Sequence, residues 1–306
     1  MADETAPLPC WTASDGYVAH YRRYVPSLPP RAHVVCLHGI QSHGGWYDYS
    51  SRRLCQAGYA VWYLDRRGSG ANLVDRGDAT TIRRLLRDIA EFMRDVVAAD
   101  PGVPIFLSAC SWGGKLGAAF CRRHPGLIDG LILISPGMFP RVSVPFRQRL
   151  GIFLMRLVRP RRLYKIPLND PALFTATPRW REFITNDELA LHEATARFLV
   201  GSSILDMYLA GAPRYVNVPT LLMLAEHDQI IDVGRTRRYV ESFATRDKEI
   251  IEYAGAHHTL EFEPDPDRFI DDLIGWLRAH ERLLVRQGGV VRAEAAPAGV
   301  LNLGAC

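Results

Sequence analysis

The chain predicts an α/β fold, a mostly parallel doubly wound sheet covered by helices and interrupted by an inserted helical cap. Three observations carry that expectation. Apolar runs that are continuous rather than alternating recur at 34–37, 59–64, 105–107, 131–134, 221–224 and 250–253, as strands buried on both faces require. Helical periodicity fills several of the intervals, and strand alternating with helix favours parallel strands joined by right-handed crossovers. The alternation then stops between 140 and 216. That excursion is far longer than the usual roughly two to six residues of a βα loop and must carry structure of its own.

In chain order, Asp15-Gly16 between Trp11 and Tyr17-Val18 marks a hairpin turn in an antiparallel entry pair. Ile82, Leu85, Leu86, Ile89, Met93, Val96 and Val97 repeat with helical spacing and stop before Pro101-Gly102. Asp232 suits the N-cap of a helix over 233–243. A last helix runs through Phe269, Ile270, Leu273, Trp276 and Leu277, with Asp265 as its cap and Pro266 at its first position. Beyond Arg286 the periodicity is lost. The expected organisation is core over 1–139, inserted helical cap (lid) over 140–216, core again over 217–286, and a disordered tail over 287–306.

Composition narrows the function. With 48% hydrophobic and 23% charged residues and a mean hydropathy of −0.06, the 306 residues exclude disorder, collagen and coiled coil. No apolar run approaches the roughly 18 residues that span a bilayer. Residues 1–10 carry Asp3 and Glu4 and no apolar centre, which is not a secretory signal, so a cytoplasmic location is expected. Six cysteines without a Cys-x-x-Cys pair suggest reduced thiols. The net charge of +4 is too mild to imply nucleic acid. It is unevenly spread, because eight basic residues and no acid lie between Arg141 and Lys165. Phe146, Leu150, Ile152, Phe153, Leu154, Leu157 and Val158 interleave with those arginines. Two readings fit: a basic amphipathic helix peripheral to a membrane, or a solvated cationic face over an ordinary apolar cap core.

The chemistry-bearing residues cluster after the apolar runs. The segment Ser108-Ala109-Cys110-Ser111-Trp112-Gly113-Gly114 follows one such run and opens a helical stretch. It resembles the nucleophile elbow Gly-x-Ser-x-Gly, a strained strand-to-helix turn whose flanking positions must be small. Only Ser111 has small residues two before and two after it, Ala109 and Gly113. Cys110 would have bulky Trp112 at one flank, and Ser108 would have Phe106. A nucleophilic serine needs a base and an acid that orients the base. In α/β hydrolases these follow on loops after later strands. The candidates are Asp228 in Glu226-His227-Asp228 and His258 in Gly255-Ala256-His257-His258. Asp232 is better explained as a helix cap, and His257 falls on the variable position of the Gly-Ala-x-His pattern.

An oxyanion site requires two backbone N–H donors. Trp112 follows the nucleophile, and the His38-Gly39-Ile40 turn resembles the family's oxyanion loop and gives Ile40 as the second donor. His38 and His43 lack acidic or cysteine partners at ligand spacing, so structural hydrogen bonding is expected of them and no metal. Asp65-Arg66-Arg67-Gly68-Ser69-Gly70 resembles the family's Asp-x-Arg-Gly-x-Gly turn, a scaffold feature. It is not a phosphate loop, since no Gly-Lys-Ser/Thr follows.

Together these motifs make residues 10–285 similar to the serine α/β hydrolases grouped with monoacylglycerol lipase and lysophospholipase. The resemblance implies the α/β-hydrolase fold and hydrolysis of a carboxylic ester, often of a monoacyl lipid, with no cofactor. Ser111-Trp112-Gly113 also resembles proline iminopeptidases. An aminopeptidase would need cap acids for the substrate ammonium, for which Glu182, Glu188 and Glu193 are candidates. A non-catalytic binding protein on the same fold is the third reading.

Overall fold

In the computed structural model, which describes residues 7–97 and 102–286, an eight-stranded sheet forms the centre of the molecule. Strands β1 (Cys10–Thr12) and β2 (Val18–Tyr24) pair antiparallel around the expected turn, closed by Gly16 N–H donating to Ala13 O at 2.8 Å. The chain continues through β3 (His33–Leu37), α1 (Asp48–Gln56), β4 (Ala60–Leu64) and α2 (Ile82–Phe92). It proceeds to β5 (Ile105–Cys110), α3 (Trp112–Arg123) and β6 (Gly130–Ile134). The strand order is β1-β2-β4-β3-β5-β6, and β3 to β6 are parallel neighbours. This is the doubly wound arrangement expected from the sequence.

Local chemistry accounts for the element ends. Thr81 caps α2 by accepting from Arg84 N at 3.0 Å, and Met93–Val97 continues it as a single wider π-helical turn. Residues 98–101, where the helical pattern was expected to stop, lie outside the described residues. The buried faces of β3, β4 and β5 leave no residue exposed, which explains their unbroken apolar sequence.

After β6 the chain makes its excursion: α4 (Phe146–Val158), β7 (Leu163–Lys165), α5 (Pro178–Asn186), β8 (Glu193–Thr195) and α6 (Ala196–Leu209). Beside its three α-helices the excursion carries β7 and β8, which form an antiparallel ribbon. Three-residue strands are too short to show alternation in the sequence. The chain returns to the sheet with β9 (Thr220–Ala225), α7 (Val233–Glu241), β10 (Lys248–Tyr253) and α8 (Asp267–Arg286). β9 pairs with β6, and β10 closes the edge.

Three finer expectations need adjustment. Asp232 caps α7 through Arg235 N at 2.8 Å, but the helix stops at Glu241 rather than 243. α8 starts at Asp267, which shifts the cap one residue beyond Asp265. β10 is half exposed because it is an edge strand. Cys36, Cys55, Cys110 and Cys121 are free cysteines. The expected disordered tail, 287–306, falls outside the described residues. No helix among the described residues is long and apolar enough to cross a membrane.

Candidate active site

Ser111 stands between the last residue of β5 and the first of α3 with φ 49° and ψ −124°. A non-glycine residue there costs on the order of 1–3 kcal/mol and persists only where its surroundings hold it. Here they do: Ser111 N–H donates to Ile134 O at 3.0 Å, and Ser111 O accepts from Gly114 N at 2.9 Å and Gly137 N at 2.7 Å. The turn also needs Gly113, since a Cβ at that position would lie 2.7 Å from both Leu37 O and His38 O.

The three side chains singled out in the sequence meet in one hydrogen-bonded chain. His258 Nε2 lies 2.9 Å from Ser111 Oγ, and His258 Nδ1 lies 2.6 Å from Asp228 Oδ2. The other Asp228 oxygen accepts from Ile230 N at 2.8 Å and Ile231 N at 3.0 Å. Asp228 and His258 are both buried. This carboxylate selects the imidazole tautomer with hydrogen on Nδ1 and the lone pair on Nε2 aimed at the serine hydroxyl. The neighbours are occupied elsewhere. His257 Nδ1 lies 3.2 Å from Glu263 Oε1, and Asp232 caps α7.

Across from His258, the loop after β3 approaches the serine so closely that a Cβ on Gly39 would stand 3.2 Å from Ser111 Cβ. Ile40 and Trp112 line one groove with Ser111. No hydrogen bond from either backbone N–H occurs among the described residues. His38 holds the base of this loop: Nδ1 donates to Gly39 O at 2.8 Å and Nε2 accepts from Arg66 N at 2.9 Å. Burial pushes its pKa down to about 3, so the ring is neutral. His43 accepts from Gly45 N through Nδ1 at 3.1 Å and donates through Nε2 to Asp187 at 3.0 Å. Both rings are thus engaged in structural hydrogen bonds. Among the described residues no group of three His, Cys, Asp or Glu side chains could hold a metal ion.

Two cavities open from Ser111. The larger, about 490 Å³, is an apolar groove running under α4 between Phe146, Leu150 and Phe153 on one side and Leu199 and Val200 on the other. The smaller is a recess between the loop after β3 and the loop that carries His258. It is bordered by Gln41 and Glu261, whose buried Nε2 and Oε2 have no hydrogen-bond partner. Burial pushes the Glu261 carboxyl up to about 7.

The family model Hydrolase_4, described as serine aminopeptidase S33, matches residues 28–265. The chain belongs to the Hydrolase_4 family. It is 27% identical over 274 residues to the monoacylglycerol lipase of Mycolicibacterium smegmatis, covering 85% of this chain and 92% of that protein. With the monoglyceride lipase of Homo sapiens it shares 26% identity over 260 residues, 84% of each chain. The crystal structure of Paleococcus ferrophilus monoacylglycerol lipase superposes with a TM-score of 0.77 at 23% identity, over 86% of this chain and 99% of that one. This Hydrolase_4 chain therefore has the α/β-hydrolase fold.

Within this Hydrolase_4 protein, three site features escaped the sequence reading. The buried recess residues Gln41 and Glu261 belong to no short motif. Asp187, in the excursion, ties it to the loop after β3 by accepting from Trp46 Nε1 at 2.5 Å as well as from His43. Arg66 reaches that same loop through hydrogen bonds to Gly39 O and Ile40 O. Its place inside a recognisable turn was the one sequence signal near it, and that signal does not disclose the contact.

Proposed function

We propose that this protein is a serine hydrolase that cleaves carboxylic esters of monoacyl lipids, of monoacylglycerol or lysophospholipid type, through an acyl-enzyme on Ser111. The observation that carries this reading is the hydrogen-bonded chain Asp228–His258–Ser111 at the mouth of an apolar groove. His258 takes the hydroxyl proton as Ser111 Oγ attacks the ester carbonyl, and Asp228 stabilises the imidazolium that forms. The Ile40 and Trp112 N–H groups receive the oxyanion. Collapse of the tetrahedral adduct expels the alcohol, protonated by His258. Water, deprotonated in turn by His258, then releases the fatty acid and restores Ser111.

The groove has the size and apolar lining for one acyl chain. The recess offers Gln41 Nε2 and Glu261 Oε2 to hydroxyls of the alcohol part. We take residues 140–216 as a lid over the groove, with α4 as its outer wall. Phe146 is 78% and Leu157 74% exposed, and arginines surround them. Such a surface suits peripheral contact with anionic lipid, where substrate is dissolved.

The family description names an aminopeptidase, but the site does not favour one. Glu182, Glu188 and Glu193 are exposed and line neither cavity. Asp206, the carboxylate on the groove wall, is paired with Lys115 at 2.5 Å. A non-catalytic binder would have no use for a strained serine aligned with a buried histidine. The test is turnover of a monoacylglycerol, a lysophospholipid, a short p-nitrophenyl ester and a prolyl anilide by the purified protein. Hydrolysis of the lipid esters is expected. Cleavage of the anilide alone, or of nothing, would overturn the reading.

A further inference from the structure

The Arg66 guanidinium touches both arms of the donor pair beside Ser111. Its Nη1 donates to Gly39 O and its Nη2 to Ile40 O, each at 3.0 Å. Its central carbon lies 4.9 Å from the ring centroid of Trp112 and 5.3 Å from that of Phe198. The backbone N–H of the same residue donates to His38 Nε2, and His38 Nδ1 donates to the same Gly39 oxygen.

Peptide geometry gives these contacts a direction. Gly39 C=O and Ile40 N–H belong to one trans peptide unit and so point opposite ways. Two donors gripping the oxygen on the Arg66 side aim the Ile40 N–H away from Arg66, towards the cavities that Ile40 shares with Ser111. The bond to Ile40 O fixes the next peptide plane, so the Gly39–Ile40 unit cannot rotate about either neighbour. A cation at the oxygen end also polarises the peptide and strengthens its N–H as a donor.

The arrangement is costly for a mere scaffold. Arg66 is buried, forms no ion pair with a carboxylate among the described residues, and leaves its Nε without a partner. Burial pushes its pKa down to about 9, which still leaves it charged at neutral pH. It also occupies the variable position of the Asp-x-Arg-Gly-x-Gly turn, so the general role of that turn does not account for it.

We propose that Arg66 is a positioning residue of the oxyanion site, setting and polarising the Gly39–Ile40 peptide while bracing Trp112, which carries the second donor. This rests on the acyl-enzyme reading of Ser111 given above. Its effect belongs to the tetrahedral state, so binding of the unreacted ester is left nearly unchanged.

The experiment compares wild type with Arg66→Lys and Arg66→Met on a short soluble p-nitrophenyl ester. It also measures affinity for a trifluoromethyl ketone, which forms a tetrahedral adduct with the serine, and for the unreactive ether analogue of the substrate. We expect kcat to fall by about 10- to 100-fold, somewhat less than the loss of a whole oxyanion donor. KM and ether affinity should stay within about twofold, and ketone affinity should fall in parallel with kcat. Arg66→Lys keeps the charge but reaches one carbonyl, so it should lie between wild type and Arg66→Met, and it serves alone if the Met variant does not fold. Folded variants that keep wild-type kcat and ketone affinity, or lose kcat without losing ketone affinity, would overturn the assignment. Labelling of wild type by a fluorophosphonate separates the two levels. A wild type with no adduct on Ser111 removes the underlying acyl-enzyme reading, whereas a labelled wild type with unaffected Arg66 variants removes only the role of Arg66.

Discussion

Gly117 on α3 faces Ala109 on β5 so closely that a Cβ on Gly117 would stand 3.0 Å from the Ala109 Cβ and 3.2 Å from Leu131 Cδ1. The elbow position that is usually glycine carries a methyl group here, and a glycine one helical turn into α3 makes room for it. Gly117→Ala should therefore destabilise by about 1–2 kcal/mol, overpacking outweighing the roughly 1 kcal/mol gain in helix propensity. The double variant Ala109→Gly/Gly117→Ala should recover that loss in urea denaturation. A single variant more stable than wild type would show that the two positions do not compensate.

Adjacent residues on one loop point different ways, and this separates the paired candidates. His258→Ala and Asp228→Asn are expected to reduce kcat by on the order of 10⁴-fold or more. His257→Ala and Asp232→Asn should retain most activity, because those side chains serve Glu263 and the α7 N-terminus. Steady-state kinetics on a soluble ester decides it. A dead His257→Ala variant that is still folded would mean that the wrong histidine has been assigned as base.

Burial raises the Glu261 carboxyl from its ordinary 4.5 to about 7. The folded state then holds a proton that the unfolded chain releases, so this residue costs stability as pH rises from about 4.5 through 7. The full effect is about 3 kcal/mol by the linkage of pKa to stability. Glu261→Gln, neutral at every pH, should lack this slope. Denaturation midpoints at pH 5 and pH 8 measure it, and equal slopes for the two proteins would contradict a buried neutral carboxyl.

The exposed face of α4 should bind anionic vesicles at low salt and release them as salt rises, since each basic residue near the surface contributes about 1 kcal/mol and is screened. Reversing Arg147, Arg156 and Arg159 to Glu tests this without touching Arg161, which pairs with Asp75 at 3.2 Å. Vesicle cosedimentation should be lost, and lipid hydrolysis should slow more than hydrolysis of a soluble ester. Equal effects on the two substrates would leave α4 as a plain wall of the groove.

What the sequence disclosed follows from what is local. β3, β4, β5, β6 and β9 were legible because strands buried on both faces must be unbroken apolar runs. Ser111, Asp228 and His258 stood out because each sits in a short motif at the end of such a run, and the parallel sheet brings those ends together. β7 and β8 were hidden by their length. Arg66 and Asp187 were hidden because their partners are backbone carbonyls and side chains distant in sequence, and nothing in the residues themselves records that contact. The accommodation of Ala109 by Gly117 was hidden for the same reason, since the two meet only across the packed strand and helix.

The central claim is that Ser111 is the residue acylated in turnover, and mass spectrometry of the protein after reaction with a fluorophosphonate tests it most directly. One adduct is expected, mapped to Ser111, absent from Ser111→Ala, and formed in step with loss of esterase activity. An adduct on Cys110, or none on protein that remains active, would contradict it.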